Sequence, residues 1–333
     1  MATDAKPGST DEAAHPLASR DELREARYHR NGFILLFAIL VVAPAVVYPL
    51  FLMQALCFAL FACAFNLLLG FGGLLSFGHA MFLGMAGYVS AYAAKTWGLT
   101  PELAILAGTA TATALGVVSG LIAIRRQGIY FAMITLALAQ MVYFFCLQAP
   151  FTGGEDGIQT GPRGKLLGLL PLNGLAMYYT VFVIFALGFF LIHRVIHSPF
   201  GQVLKAIRDN EPRAVSLGYR TERYKLAAFI MSAALSGLAG ATKAIVFQQA
   251  SLTDVHWTMS GEVVLMTLVG GLGTVFGPVV GAFVLVAMES YLSELGSWFT
   301  VAEGVIFVAC VLAFRRGIVG ELEAWLRRRR HKR

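Results

Sequence analysis

Long apolar runs separated by short polar punctuation make up almost the whole chain. The runs cover residues 33–50, 52–69, 74–94, 103–124, 129–147, 176–192 and 226–247; a broken run follows at 262–290, and a last one at 299–314. Several approach or exceed the ~20 apolar residues needed to cross a bilayer. The pattern predicts an all-α polytopic membrane protein. The polar remainder is a tail at 1–32, a Gly/Pro-rich loop at 148–175, a segment at 197–225 and a basic tail at 319–333, leaving 33–318 as the membrane domain. The first tail is expected to become a short charged helix around residues 20–30. It lacks the apolar stretch and small-residue cleavage site of a signal peptide.

The 197–225 segment, HSPFGQVLKAIRDNEPRAVSLGYRTERYK, is the longest polar interruption between spans. Ser198 is placed to N-cap a helix with Pro199 in its first position, and Phe200, Val203, Leu204 and Ile207 then share one face. Asn210 can cap a second short helix over 211–217, with Gly218 as its stop. The prediction is a helical hairpin at the membrane surface whose apolar face needs a partner. An amphipathic loop resting on lipid headgroups is the alternative.

Charge sets the crossing number. The hairpin carries six basic residues (Lys205, Arg208, Arg213, Arg220, Arg223, Lys225) against Asp209, Glu211 and Glu222. With the N-terminal tail, Arg125–Arg126, the hairpin and the C-terminal tail all cytoplasmic, the broken run must cross twice, near 263–272 and 274–290. That gives about ten transmembrane helices with both termini inside. Nine spans would leave eight basic residues of the C-terminal tail outside. Five spans on each side of the 148–175 loop suggest two pseudo-inverted halves.

Composition agrees. The 333-residue chain is 57% hydrophobic and 14% charged, with mean hydropathy +0.69, which excludes a soluble domain of this size. Its net charge of +7 sits at the ends of apolar runs, as membrane topology requires and nucleic-acid binding does not. Cys57, Cys63, Cys146 and Cys310 lie inside apolar runs without metal-ligand spacing.

Two glycine-rich breaks are the candidate translocation elements. The first, residues 66–92, holds Asn66, Gly70, Gly72, Gly73, Ser76, Gly78, His79, Gly84 and Gly87; the second holds Gly270, Gly271, Gly273, Gly277 and Gly281. Such breaks permit unwound, discontinuous helices lining a substrate path, or close helix packing. Asn66, Gly73, Ser76, His79, Gly270, Gly271 and Gly273 are the path candidates, with His79 read first as a structural hydrogen-bonder. Gly273, Gly277 and Gly281 should form one face pressed on another helix. Neither break contains the Gly-Lys-Ser/Thr of a nucleotide-binding loop, and HExxH, GxSxG and an Arg ladder are all missing from the sequence. Glu155 and Asp156 in the 148–175 loop lack a second group at catalytic spacing and read as a Gly-rich turn. Lys243 and Glu303, near span ends, are explained by snorkelling.

With those motifs in hand, the chain resembles the LivM-type permeases of branched-chain amino acid ABC transporters. The resemblance rests on residues 66–88 (N-x-L-x-G-x-x-G-x-x-S-x-G-H-A-x-F), TGGEDG at 152–157, the hairpin, and MTLVGGLGTVFGPVVGA at 266–282. It implies a bacterial inner-membrane transport subunit, not an enzyme, with no cofactor of its own. Two cytoplasmic ABC ATPases would bind ATP and magnesium. A LivH-like second permease would complete the membrane part, and a periplasmic binding protein would deliver substrate. The hairpin would be the coupling element, with Phe200, Leu204, Arg208, Glu211, Ala214 and Gly218 as its coupling residues. The family's E-A-A triplet is absent, because Pro212 and Arg213 follow Glu211. Related systems of this build carry urea or short amides. A secondary transporter would need buried ion-coupling carboxylates, which the spans do not supply.

Overall fold

The computed structural model describes residues 32–161, 165–166, 170–171 and 174–292, with single residues and short stretches between 301 and 321. The predicted helix at 20–30, the last run at 299–314 in large part, Glu303, Cys310 and the basic tail lie outside the described residues. The chain divides into two units. Among the described residues of Met1–Tyr48 is one short apolar helix, α1 (Gly32–Ala45). The rest belongs to Pro49–Arg333.

The second unit is built around α2 (Pro49–Asn66), which continues as a π-helical turn over Leu67–Phe71. From Ala55 to Leu68 no residue is more than 3% exposed. The sequence explains this: α2 is apolar on every side, so it has no face to give to solvent and is enclosed by other helices. Around it pack α6 (Leu175–Ile196), α9 (Thr221–Phe247), α10 (Trp257–Gly270) and α11 (Gly277–Leu292). A second layer joins α3 (His79–Lys95), α4 (Pro101–Ala123) and α9, with α5 (Ile129–Gln148) against α3 and α4. Five described helices are long and apolar enough to span: Pro49–Phe71, α4, α5, α6 and α9.

Small residues set the helix spacing. A Cβ on Gly240 of α9 would lie 1.9 Å from the Leu83 carbonyl oxygen of α3, and one on Gly237 would lie 2.2 Å from the Ala112 methyl of α4. Backbones this close gain the dispersion contacts that replace the hydrophobic effect inside lipid.

One predicted run takes a different form, and the broken run is in two pieces as expected. The third does not start helically at 74: the chain is unwound over 72–78 and α3 begins at His79. Gly84 and Gly87 sit inside α3, so the break is narrower than the glycine pattern suggests. The broken run is two helices, α10 and α11, joined by a nonhelical stretch at 271–276. Gly277 of α11 lies against Gly270 of α10, and Gly281 lies against Met266, so the two pack antiparallel. Gly273 falls in the joint at φ +72°, and only Gly277 and Gly281 form the predicted packing face.

The 148–175 loop is anchored, not loose. Its β1 (Ile158–Gln159) pairs antiparallel with a strand after α9 at Gln249–Ala250, in register Ile158↔Ala250. Ile158 and Ala250 join Tyr88, Cys146 and Val255 in a small core at that end. Glu155 and Asp156 lie exposed in a 3-10 turn between glycines, as a Gly-rich turn requires.

Candidate functional site

The site is where the hairpin meets both glycine breaks. The hairpin forms because each helix has its own start and stop. Helix α7 (Pro199–Asp209) is capped by Ser198, whose Oγ accepts the Gly201 N–H at 3.4 Å. Helix α8 (Glu211–Ser216) is capped by Asn210, whose Oδ1 accepts the Arg213 N–H at 3.1 Å. Gly218, at φ +87°, ends α8. Its N–H reaches the Val215 carbonyl at 2.9 Å and the Tyr219 N–H reaches Ala214 at 3.2 Å, the paired bonds of a Schellman stop.

The inner face of the hairpin docks on the membrane domain. Leu204, Ile207 and Ala214 are buried, Phe200 stacks on Tyr224 of α9 with ring centroids 5.5 Å apart, and Lys225 of α9 forms a 2.5 Å ion pair with Glu211. The Lys225 side chain is 5% exposed and that of Glu211 20%. Five of the six coupling candidates, Phe200, Leu204, Arg208, Glu211 and Ala214, therefore grip the membrane domain. The exposed side is made by others: Val215, Leu217 and Tyr219, flanked by Arg213 and Arg220.

Arg208 makes the decisive contact. Its Nη1 donates to the Gly70 carbonyl at 2.5 Å, while Nε and Nη2 hold Asp209. Gly73, at φ +69°, leaves room for the arginine stem: a Cβ there would sit 2.7 Å from Arg208 Cγ. Lys205 lies over the Phe71 ring at 5.5 Å. One face of α7 thus rests on the end of α2 and the start of the first break.

Asn66 ties that break to the second. Its Nδ2 donates to the Thr274 carbonyl at 2.9 Å and its Oδ1 accepts the Gly273 N–H at 3.0 Å. The carboxamide thereby does what a neighbouring strand would do, satisfying two backbone groups of the unwound joint. Thr274 in turn accepts the Gly277 N–H at 3.1 Å and donates to Gly271, at φ +126°, over 2.8 Å. Gly270 packs on Gly277 at the same point. Asn66, Gly73, Gly270, Gly271, Gly273 and Arg208 therefore converge. Ser76 and His79 do not join them.

His79 is a buried packing and hydrogen-bonding group. Its ring meets Phe65, Phe82 and Phe229 edge-on, and Nε2 is 2.8 Å from Ser232 Oγ. Ser232 spends its one proton on the Ala64 carbonyl at 2.6 Å, so the ring donates through Nε2–H. Ser76 Oγ accepts the Gly78 N–H at 3.2 Å, and Thr135 of α5 accepts that of Phe77 at 3.2 Å. These bonds supply the partners that 72–78 loses by unwinding. Lys243 does not snorkel: it is ion-paired with Asp254.

Sequence reasoning named Gly70 as a glycine of the first break but not as a path or coupling residue, and it missed Thr274, Ser232 and the Lys225–Glu211 pair. Only the pair had a readable signal, opposite charges flanking a hairpin that has to fold back.

The profile of a family described as "Branched-chain amino acid transport system / permease component" matches residues 48–314. The high-affinity branched-chain amino acid transport permease LivM of Escherichia coli K12 is 26% identical over 278 residues, 76% of this chain and 65% of that protein. The chain thus spans just under two thirds of this relative. The ribose import permease RbsC of Bacillus subtilis 168 is 27% identical over 235 residues, 66% of this chain and 70% of that protein. The autoinducer 2 import permease LsrC of Photorhabdus laumondii is 29% identical over 143 residues, 41% of this chain and 43% of that protein. No solved structure matches. The profile match over most of the chain places this multi-pass membrane protein in the branched-chain amino acid transport permease family.

Proposed function

We propose that this chain is the LivM-type permease subunit of an ATP-driven importer for branched-chain amino acids. The observation that carries the reading is Arg208: a hairpin side chain bonded to the backbone of a helix break, which Asn66 bonds to a second break. A push on the hairpin is a push on both breaks. The exposed Val215, Leu217 and Tyr219, with Arg213 and Arg220, form the face that meets an ATPase, while the buried candidates pass its motion inward. Two ATPases hold ATP and magnesium, a LivH-like permease forms the other wall of the path, and a periplasmic binding protein loads it. The chain itself is no enzyme. It crosses the bacterial inner membrane about ten times in two inverted halves, with hairpin and termini in the cytoplasm. The LivM relatives favour amino acids as the cargo.

Co-purification of the tagged chain with its genomic neighbours, followed by ATPase assay with and without binding protein and leucine, tests the reading. Leucine-dependent stimulation is expected. An assembled complex that responds to ribose or urea and not to leucine would reassign the cargo, and failure to recover any ATPase would overturn the class.

A further inference from the structure

A cavity of about 480 Å³ opens beside the hairpin, lined by Phe200, Gly218, Tyr219, Arg220, Arg223 and Tyr224. Ligand sites run from about 300 to 1,000 Å³, so it is large enough to hold a molecule. Its lining comes from three places: the first turn of α7, the turn after α8 and the first turn of α9. The contacts that dock the hairpin leave it open. Asp209 is held by Arg208 and Glu211 by Lys225, while Glu222 lies outside the lining. The charged groups in the lining are the guanidiniums of Arg220 and Arg223, both on exposed residues. The remaining walls are aromatic. Phe200 and Tyr224 stack at 5.5 Å with 26° between ring planes, and Tyr219 meets Tyr224 edge-on at 6.1 Å.

Two guanidiniums suit a phosphate, because each offers a fork of N–H donors to its oxygens. The level in the membrane says which phosphate. Helix α6 ends at Ile196, just before α7, and Tyr224 stands two positions, about 3 Å of helix rise, before the apolar run that opens at Leu226. The cavity therefore lies where the chain passes from lipid tails to water. Headgroups occupy that level, and tyrosine rings are enriched there. Basic pockets between spans at this level bind anionic headgroups. A free phosphate gains nothing from an aromatic wall, whereas the glycerol and upper acyl chain of a lipid rest on one.

We infer that this cavity is a headgroup site for an anionic phospholipid, whose phosphate is held by Arg220 and Arg223. Phe200 and Gly218–Arg220 belong to the hairpin, and Arg223 and Tyr224 to α9, so the bound lipid joins the two. The site goes beyond the importer reading. It requires only that the spans cross a bilayer, and it is independent of cargo.

The test is the full-length chain in detergent micelles that contain phosphatidylcholine, titrated with phosphatidylglycerol, with bound lipid counted by native mass spectrometry. The wild type is expected to retain one phosphatidylglycerol more than the double variant Arg220→Gln/Arg223→Gln. Either single variant should raise the half-saturating lipid concentration about tenfold, the loss of one charged hydrogen-bonding group. Arg126→Gln, which removes an exposed arginine between α4 and α5, should leave the titration unchanged. Equal loss in Arg126→Gln, or equal retention of phosphatidylcholine, overturns the site. Displacement of the lipid by inorganic phosphate at equal concentration reassigns the cavity to a free anion. Unchanged lipid retention with lost ATPase co-purification in the double variant assigns the two arginines to a protein partner instead. No arm uses leucine, so failure of this site and failure of the amino acid reading are told apart.

Discussion

Helix α9 carries an ion-paired lysine near each end, and the two are embedded differently. Lys225 holds Glu211 of the hairpin, beside a node whose other bonds run to backbone: Arg208 to the Gly70 carbonyl, and Asn66 to the Gly273 N–H and Thr274 carbonyl. Lys243 holds Asp254, and Gln54 of α2 holds Glu289 of α11, side chain to side chain in both cases. Bonds to backbone fix the relative position of whole segments. The hairpin end therefore ties whole segments together through their backbones, and the far end ties side chain to side chain.

The largest expected effect comes from breaking the hairpin-end pair. Lys225→Met strands Glu211, whose side chain is 20% exposed. Removing one partner of a fully buried pair costs about 3–5 kcal/mol, and this part-buried pair should lie at the lower end of that range. Thermal unfolding of the solubilised protein should show that loss, and adding Glu211→Gln should recover most of it. If the single variant unfolds like the wild type, the hairpin is not held by this pair and the contrast between the two ends fails.

Next is the clasp. Asn66→Leu leaves the Gly273 N–H and the Thr274 carbonyl without their partner, in a residue environment only 2% exposed. Each stranded group costs about 1–3 kcal/mol. Stability should drop by about 3 kcal/mol, and uptake should fall further than ATPase activity does. Arg208→Lys is smaller in stability, about 1 kcal/mol for one bond to a carbonyl. A lysine has the charge but not the fork that holds Gly70 and Asp209 together. Leucine moved per ATP should therefore fall severalfold in a protein that remains folded. Proportional losses of uptake and ATPase would mean that Arg208 only supports the fold.

Much of this architecture was legible because bilayers simplify sequence. Apolar run length located the long helices α2, α4, α5, α6 and α9, caps at Ser198 and Asn210 located the hairpin, and Gly218 located its stop. Pairing between distant segments was not legible. Nothing local says that Asn66 reaches Thr274, 208 positions away, or that Arg208 reaches Gly70, because hydrogen-bond partners across a fold leave no periodicity. The same limit left the faces of the hairpin unassigned. Periodicity showed that α7 has an apolar side, but whether that side meets an ATPase or the permease itself depends on which surface lies nearer. The structure puts Leu204 and Ala214 inward and leaves Val215 and Leu217 outward. Lys243 was read as snorkelling because its partner, Asp254, belongs to a turn whose path the sequence did not reveal.

The smallest predicted effect separates backbone strain from coupling. Gly218 has φ +87° and nothing within 4 Å of where a Cβ would stand. Gly98, in the loop before α4, has φ +62° and the same open space. Alanine at either position meets no neighbour, so each substitution costs only the left-handed backbone, about 1–2 kcal/mol. On stability the two variants should match. On function they should part, because Gly218 fixes the stop of α8 and so the aim of Val215 and Leu217, whereas Gly98 aims nothing at the hairpin. Gly218→Ala should lower leucine-stimulated ATPase activity, Gly218→Asn should lower it less because asparagine tolerates this conformation better, and Gly98→Ala should leave it unchanged. Equal loss in Gly218→Ala and Gly98→Ala would reduce the hairpin stop to a matter of stability, and the transmitting role would then rest on Arg208 alone.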